Sequence, residues 1–436
     1  MNILVLSQYW YPENGVPQRR WTWLSRLLGE EGHQVTVIAP PPHRQRKIDF
    51  NTWLRTRGWK AKKESTRGPS GEVIVRSGFV PAGRSLTLRA LNQGLVMVAQ
   101  IAVLIRHKKY LPDYHPDLIV GTVPALPTSV SAFVAARIFR VPYVIDLRDA
   151  WPDLLHETDS WNESLGKVSL RQRVLSTGPL QLVTWITKRI LYRVLRDSAA
   201  VLATSSELSR DLRVRPELRT DEKKRYILTI RNVFPAETTY RKDVERRIDS
   251  NRLNILYAGT IGRAQDLRNA VDAVRMCAEE GLPVFLRFVG TGAAKDALLA
   301  QAAGLESHIS FEPQSPAYAL DEYYDWADTA LVHLADWEPL MRTVPSKLYE
   351  LIESGVHISA VANGETAALV EGLKVGHVVA PGSPELLAGL WRRLLERPDM
   401  LKIGDAGRTW VDSEREVAAP ELLRQLIATA AGEVRK

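Results

Sequence analysis

The chain holds one cysteine, Cys277, among 436 residues. Neither a disulfide framework nor a cysteine-based metal cluster is therefore available, and the composition fits a reducing compartment. No D-x-D pair occurs, which argues against a carboxylate clamp for Mg²⁺ or Mn²⁺ on a nucleoside diphosphate, so no metal site is expected. H-E-x-x-H, G-x-S-x-G and G-x-x-x-x-G-K-[ST] are absent too, removing the zinc-peptidase, serine-hydrolase and P-loop readings. The stretch VGTGAAKD, with Gly290 and Gly292, lacks the third glycine of a dinucleotide fingerprint. The start, MNILVLSQYW, has no basic segment and no small-residue cleavage site, and reads as a first strand. The longest nearly apolar run, Gly94 to Ile105, contains Gln100 and falls short of the roughly 20 residues of a bilayer span. A soluble, cytoplasmic protein is expected.

With 45% apolar and 25% charged residues the chain is globular in composition, and its length predicts two domains. The net charge of +8 is unevenly placed: residues 1–250 hold 40 Lys/Arg against 24 Asp/Glu, and residues 251–436 hold 18 against 26. A basic first half suggests an anionic partner: nucleic acid, a phosphate-rich substrate or an acidic membrane surface. Solvated surface charge is the plainer explanation.

Short apolar runs alternate with helix-length segments. Strands are expected at Asn2–Leu6, Val35–Ala39, Val73–Arg76, Leu118–Gly121, Tyr143–Leu147, Ala199–Ala203 and Ile227–Ile230. The second half repeats the rhythm at Asn254–Ala258, Phe285–Val289, His308–Glu312, Asp328–Val332, His357–Val361 and His377–Ala380. A helix is expected from Arg19 to Gly32, with Trp23, Leu24, Leu27 and Leu28 as its apolar stripe. Such alternation specifies an α/β chain with two doubly wound parallel sheets in series, a pair of Rossmann-like domains. The polar, charged segment from Asn232 to Asn251, broken by Pro235, reads as the seam. This gives domains at 1–235 and 251–414 with a linker at 236–250, and a terminal helix at 415–436 free to pack on the first domain.

Ligands of open parallel sheets bind beyond the carboxyl ends of the strands, which directs attention to four loops. SQYWYPENGVPQRR follows the first strand, and Gly15 there can bring bare backbone amides to a ligand. AGTIGRAQDLRN follows Asn254–Ala258; Gly259, Gly262 and Arg263 at a helix start suit a diphosphate. In TVPSKLYELIESG, Ser346 and Lys347 open a helix that can meet phosphate, and Glu350 sits one turn inward, where a carboxylate can accept two hydrogen bonds from a ribose diol. YVIDLRDAWPDLL sets Arg148 and Asp149 at a strand end, where an acid could orient or deprotonate a hydroxyl. Each loop also has a plain structural explanation: a connector, solvated charges on an amphipathic helix, or a loop ion pair.

The succession SQYWYPENG…R, GHQVTVIAPP, YVIDLRDAWPDLL, ILYAGTIGRAQDL and VPSKLYELIESG resembles the family 4 glycosyltransferases of GT-B fold, and within them the fucosaminyltransferase-like enzymes of bacterial surface-polysaccharide synthesis. The resemblance implies two Rossmann-like domains facing across a cleft, a nucleotide-sugar donor on the C-terminal domain and an acceptor on the N-terminal one. It implies retention of anomeric configuration without a metal or other cofactor. It gives Arg263 and Lys347 the diphosphate charge, Glu350 the ribose, Gly15, Gly262 and Ser346 further donor contacts, and Arg148, Arg19 and Asp149 the acceptor side, Asp149 as a candidate base. Many members carry two glutamates seven residues apart. The first falls at Arg342 here, leaving Glu338 as the nearest replacement. The transferred sugar would be of hexosyl or N-acetylhexosaminyl/fucosaminyl type, with UDP favoured over GDP as carrier.

The basic half then gains a partner. Arg55, Arg57, Lys60, Lys62, Lys63, Arg67, Arg76, Arg84, Arg89, Arg106, Lys108 and Lys109 lie near Trp53, Trp59 and the Gly94–Ile105 run. Leu180 to Leu195 mixes apolar residues with Lys188, Arg189 and Arg193. This is interfacial composition. It predicts peripheral attachment to the anionic inner face of the plasma membrane, where a polyprenyl-diphosphate-linked sugar would be the acceptor, although buried helices account for the run equally well. A sugar-nucleotide epimerase is the rival enzyme. A nucleic-acid-binding protein is the rival binder, but no recognition helix or RNA-binding signature supports it.

Overall fold

A computed structural model of the chain describes residues 1–13, 15–42, 48–81, 86–154, 179–218, 226–238, 240–242, 252–315 and 319–434. The chain divides into two compact units. The first comprises Met1–Pro152, Val183–Phe234 and Ala418–Lys436; the second comprises Asp153–Leu182 and Pro235–Val417.

The first unit is built on an eight-stranded sheet of β1 (Asn2–Leu6), β2 (Gln34–Ala39), β3 (Thr66–Arg67), β4 (Val73–Arg76), β5 (Leu118–Val123), β6 (Tyr143–Leu147), β7 (Ala200–Ala203) and β8 (Tyr226–Thr229). Their order is β3-β4-β2-β1-β5-β6-β7-β8. All pairings are parallel except that of the short β3 with β4. The central strands read as unbroken apolar runs because helices cover both faces; Ile3, Leu4, Val5 and Leu6 are wholly buried.

The second unit has a six-stranded parallel sheet of β9 (Leu253–Ala258), β10 (Val284–Val289), β11 (Ile309–Glu312), β12 (Thr329–His333), β13 (His357–Val361) and β14 (Gly376–Val379), in the order β11-β10-β9-β12-β13-β14. The two parallel sheets expected from the alternation are thus present. Strand ends differ from expectation by two residues at most, and β3 is an addition. The helix expected from Arg19 runs from Val16 to Glu30, because Pro17 is tolerated in a first turn, and Gly32 at φ +77° turns the chain after it.

Two segments depart from expectation. Of the linker anticipated at 236–250, the described part is fastened to the second unit. Thr238 bonds Asp321, the Tyr240 hydroxyl donates to Asp325 at 3.0 Å, and the Lys242 amide donates to Ser354 O at 2.8 Å. Polar side chains that look like linker composition have found acceptors; residues 239 and 243–251 lie outside the described set. The terminal helix, Ala419–Val434, belongs to the first unit, where Arg424 pairs with Glu31 at 3.0 Å, whereas Arg415 still pairs with Glu353 of the second at 2.6 Å.

The second is the run around Gly94. It is part of a 20-residue helix, Leu86–Ile105, and among the described residues this is the one helix long and apolar enough to cross a membrane by length and composition. Its inward face is tied to the sheet: Gln100 donates to Ser7 O at 2.8 Å, and Asn92 accepts from Gln8 at 3.0 Å. Leu88, Leu91, Leu95, Val98 and Ile105 are exposed, a stripe at helical spacing opposite the buried residues.

Candidate functional site

In the second unit the chain order reverses between β9 and β12, so the crevice at a sheet's switch point opens between the loops following those strands. Arg263 follows the first, and Glu338, Ser346, Lys347 and Glu350 follow the second. The geometry of each loop comes from small, specific contacts.

The turn after β9 lies backbone to backbone on the turn after β10. The Ile261 amide donates to Thr291 O at 3.0 Å, and the Ala294 amide to Ile261 O at 3.1 Å. A Cβ on Gly290 would stand 1.9 Å from Gly259 O, and one on Gly292 would stand 2.0 Å from Ile261 O. The two glycines that fail a dinucleotide fingerprint therefore serve this docking instead. Gly262 precedes a 3₁₀ turn, Arg263–Gln265, and the true helix begins only at Arg268. Arg263 is accordingly not at a helix N-terminus, as its sequence context had implied, because Asp266 adopts the left-handed conformation and breaks the spiral first. The Ala335 amide donates to Ala264 O at 2.9 Å. Ala264 and Trp337 pack on Leu334, Ala335, Leu340 and Ala362, which holds the Arg263 turn beside the segment that follows β12.

The helix Ser346–Ser354 opens after Pro345 with no side-chain hydrogen bond from its cap residue, and the Leu348 amide donates to Pro345 O at 3.0 Å; the start of a helix suits an anion. Gly355 closes it at φ +70°. Lys347 and Glu350 do come together: Nζ donates to Oε1 at 3.0 Å, and the Tyr324 hydroxyl donates to the same oxygen at 2.8 Å. Lys347 Nζ also stands 5.2 Å from the Tyr324 ring centroid. Glu350 is only 9% exposed, a carboxylate held in place before any ligand arrives. Glu338 is exposed and is bonded by Arg342 at 2.6 Å; Arg342 also meets Asp153 at 3.0 Å. The arginine at the missing glutamate's position thus gathers two carboxylates around itself.

The first unit holds Gly15, Arg19, Arg148 and Asp149. Gly15 precedes the helix Val16–Glu30 in extended backbone, and the Arg19 guanidinium lies 4.7 Å from the Phe234 ring centroid. Arg148 is buried and Asp149 is half-buried at the carboxyl end of β6. Burial pushes the Asp149 carboxyl above the usual carboxylate range against the opposing charge of Arg148.

Two features escaped the sequence reasoning. Arg20 and Asp146 form an ion pair at 2.9 Å with neither side chain exposed. Arg20 also donates to Ile230 O, Arg231 O and Asn232 Oδ1, and Trp21 Nε1 donates to Asp146 Oδ2 at 2.8 Å. The available signal was an aspartate inside the apolar strand YVIDL, which needs a buried partner. His333, at the end of β12, meets Asn269 at 3.1 Å, and burial lowers its pKa to about 4. It is therefore neutral at physiological pH.

Comparison with known proteins gives a consistent result. The pattern described as "Glycosyl transferases group 1" matches residues 240–410, and that described as "Glycosyl transferase 4-like domain" matches residues 15–219. WcaI of Escherichia coli (strain K12), provisionally named a colanic acid biosynthesis glycosyl transferase, is 25% identical over 98% of this chain and 99% of its own. Sucrose-phosphate synthase from Thermosynechococcus elongatus superposes with a TM-score of 0.68 at 17% identity, covering 98% of this chain and 99% of that one. Anabaena Alr3699/HepE, solved in complex with UDP-glucose, gives 0.60 at 15% identity, covering 98% and 100%.

Proposed function

We propose that this chain, which belongs to the family 4 glycosyltransferases of GT-B fold, moves a sugar from a UDP-linked donor to a lipid-linked glycan in cell-surface polysaccharide synthesis. What supports the donor half is that the loops following the adjacent strands β9 and β12 carry Arg263 and the helix Ser346–Ser354, on which Lys347 and Glu350 are joined. Arg263, Lys347 and the leading amides of Ser346 and Lys347 would hold the diphosphate, and Glu350 would hold the ribose hydroxyls. As the sugar–phosphate bond breaks, negative charge grows on the departing diphosphate, and fixed cations and amides stabilise it without reorganising. This allows transfer with retained configuration and no resident metal. The UDP-glucose complex of Alr3699/HepE favours uracil as the base, and the likeness to WcaI favours a polysaccharide product.

The acceptor half is assigned to the first unit, with Asp149 as candidate base. Leu88, Leu91, Leu95, Val98, Ile105, Trp185, Ile186 and Ile190 are exposed, and so are Arg55, Arg57, Lys60, Lys62, Lys63, Arg67, Arg89, Arg106, Lys108 and Lys109 of the same half of the chain. Arg76 departs from that basic surface: it is buried and donates to Pro40 O. Arg84 lies outside the described residues. Exposed apolar residues on a chain half rich in exposed cations suit an anionic lipid surface, which would bring the enzyme to a polyprenyl-diphosphate acceptor at the inner face of the plasma membrane. The sugar would be of hexosyl or N-acetylhexosaminyl/fucosaminyl type, selected by contacts that include the Arg342 cluster.

The test is a melting-point screen of the full chain against UDP, GDP and other nucleoside diphosphates, since a ligand of the folded state raises stability by mass action. A rise with UDP that Lys347→Ala abolishes, while the variant stays folded, is expected. No response to any nucleoside diphosphate would overturn the reading. Sedimentation with anionic vesicles at moderate salt tests the membrane half: protein left wholly in the supernatant would refute it.

A further inference from the structure

Two arginines stand at the carboxyl edge of the first unit's sheet, and they are treated very differently. Arg20, fully buried, spends its donors on Asp146, Ile230 O, Arg231 O and Asn232 Oδ1. Arg148 lies two residues beyond Asp146 and is 7% exposed, yet its Nε and Nη1 are buried without a hydrogen-bond partner. It forms no ion pair among the described residues. On β5, Thr122 pairs in register with Asp146, and its hydroxyl is buried and unpartnered as well. Buried donors of a folded protein are almost always satisfied, and a buried guanidinium without an acceptor is among the least favourable groups a fold can hold.

The charges around Arg148 sharpen the point. Asp146 is already claimed by Arg20 and Trp21, so it offers Arg148 long-range attraction only. Asp149 is the other neighbouring carboxylate, and burial disfavours its ionised form. Burial also lowers the Arg148 pKa, to about 10, which leaves the side chain cationic at neutral pH. A planar, charged fork with unused N–H groups matches the oxygens of a phosphate.

We propose that Arg148 is the anion-binding group of the first unit, and that its unpaired guanidinium takes a phosphate oxygen of the acceptor's diphosphate. The phosphate chemistry follows from the side chain and its surroundings. Its attribution to the acceptor rests on the transferase reading above, because the donor's diphosphate offers the same oxygens.

Calorimetric titration of the full chain with inorganic pyrophosphate, with and without saturating UDP, separates the cases. With UDP present, wild type should still bind pyrophosphate. Arg148→Gln should weaken that binding tenfold or more, and Arg148→Lys should weaken it less, because a point charge lacks the fork. UDP affinity should stay within twofold in both variants. Arg148→Met, which removes the uncompensated charge at similar length, should melt at or above wild type without ligand, the opposite of what a structural arginine would do. Pyrophosphate binding unaffected in Arg148→Gln, or a well-destabilised Arg148→Met, would overturn the proposal. Parallel loss of UDP affinity would place the guanidinium on the donor and overturn the acceptor assignment. Wild type that binds pyrophosphate through Arg148 but never binds UDP would sustain the site and sink the donor reading instead.

Discussion

Replacing Glu350 by Gln changes one oxygen to an amide nitrogen and leaves the shape intact. The carboxylate accepts from Tyr324 and Lys347 and is almost fully buried. The amide oxygen can still accept from Tyr324, but the charged pair with Lys347 is lost. A ribose hydroxyl that donates to a carboxylate gains about 1–2 kcal/mol over one that donates to a neutral amide. The variant should therefore bind UDP roughly five- to thirtyfold more weakly. Calorimetry with UDP and with uridine locates the loss. Glu350→Gln should weaken both ligands by the same factor, because both carry the ribose. Lys347→Gln should weaken UDP about tenfold and leave uridine nearly unchanged, because only the diphosphate needs the ammonium. Undiminished UDP affinity in Glu350→Gln would refute the assignment of the ribose to that carboxylate.

Three further outcomes are expected. Asp146→Ala strands the buried Arg20 charge and should destabilise the chain by about 3–5 kcal/mol in chemical denaturation; a loss under 1 kcal/mol would show that the pair is not structural. Gly290→Ala forces a Cβ to 1.9 Å from Gly259 O, where backbone must yield, and should cost about 2 kcal/mol or more in stability, together with weaker UDP binding because the Arg263 turn moves; a neutral variant would contradict the close docking. His357, bonded to Thr329 and His377, has its pKa lowered to about 3, chiefly by burial and also by the neighbouring charge of His377. The unfolded state therefore takes up a proton first as pH falls below about 6.5, and stability present above that value is lost between pH 6.5 and 3. His357→Asn should flatten the fall in melting point between pH 7 and 5, and an unchanged slope would point to other groups.

The alternation of apolar runs made both sheets legible because parallel strands buried on two faces leave little choice of composition. The same runs placed Arg263, Lys347 and Glu350 at strand ends, where this topology binds ligands. What stayed hidden was whatever depends on partners distant in sequence. Arg20 meets Asp146 across 126 residues, and nothing local marks the first of two adjacent arginines as half-buried and the second as buried. Gly290 and Gly292 lack the third glycine of a dinucleotide fingerprint, and what requires them, the carbonyls of another turn, is not visible along the chain. Tyr240 and Lys242 read as linker because their acceptors on 325 and 354 are invisible along the chain. The Leu86–Ile105 helix is longer than the nearly apolar run Gly94–Ile105, because Asn92 lies just before that run, and Asn92 and Gln100 both face inward and hold the helix to the loop after β1.

The central claim is that a nucleoside diphosphate occupies the crevice between the ends of β9 and β12. A crystal structure of the full chain with UDP examines it most directly. The account predicts the diphosphate within hydrogen-bond distance of Arg263, Lys347 and the first amides of the Ser346–Ser354 helix, with both ribose hydroxyls on Glu350. Nucleotide density at any other place, with Lys347 and Glu350 still joined only to each other and to Tyr324, would contradict it.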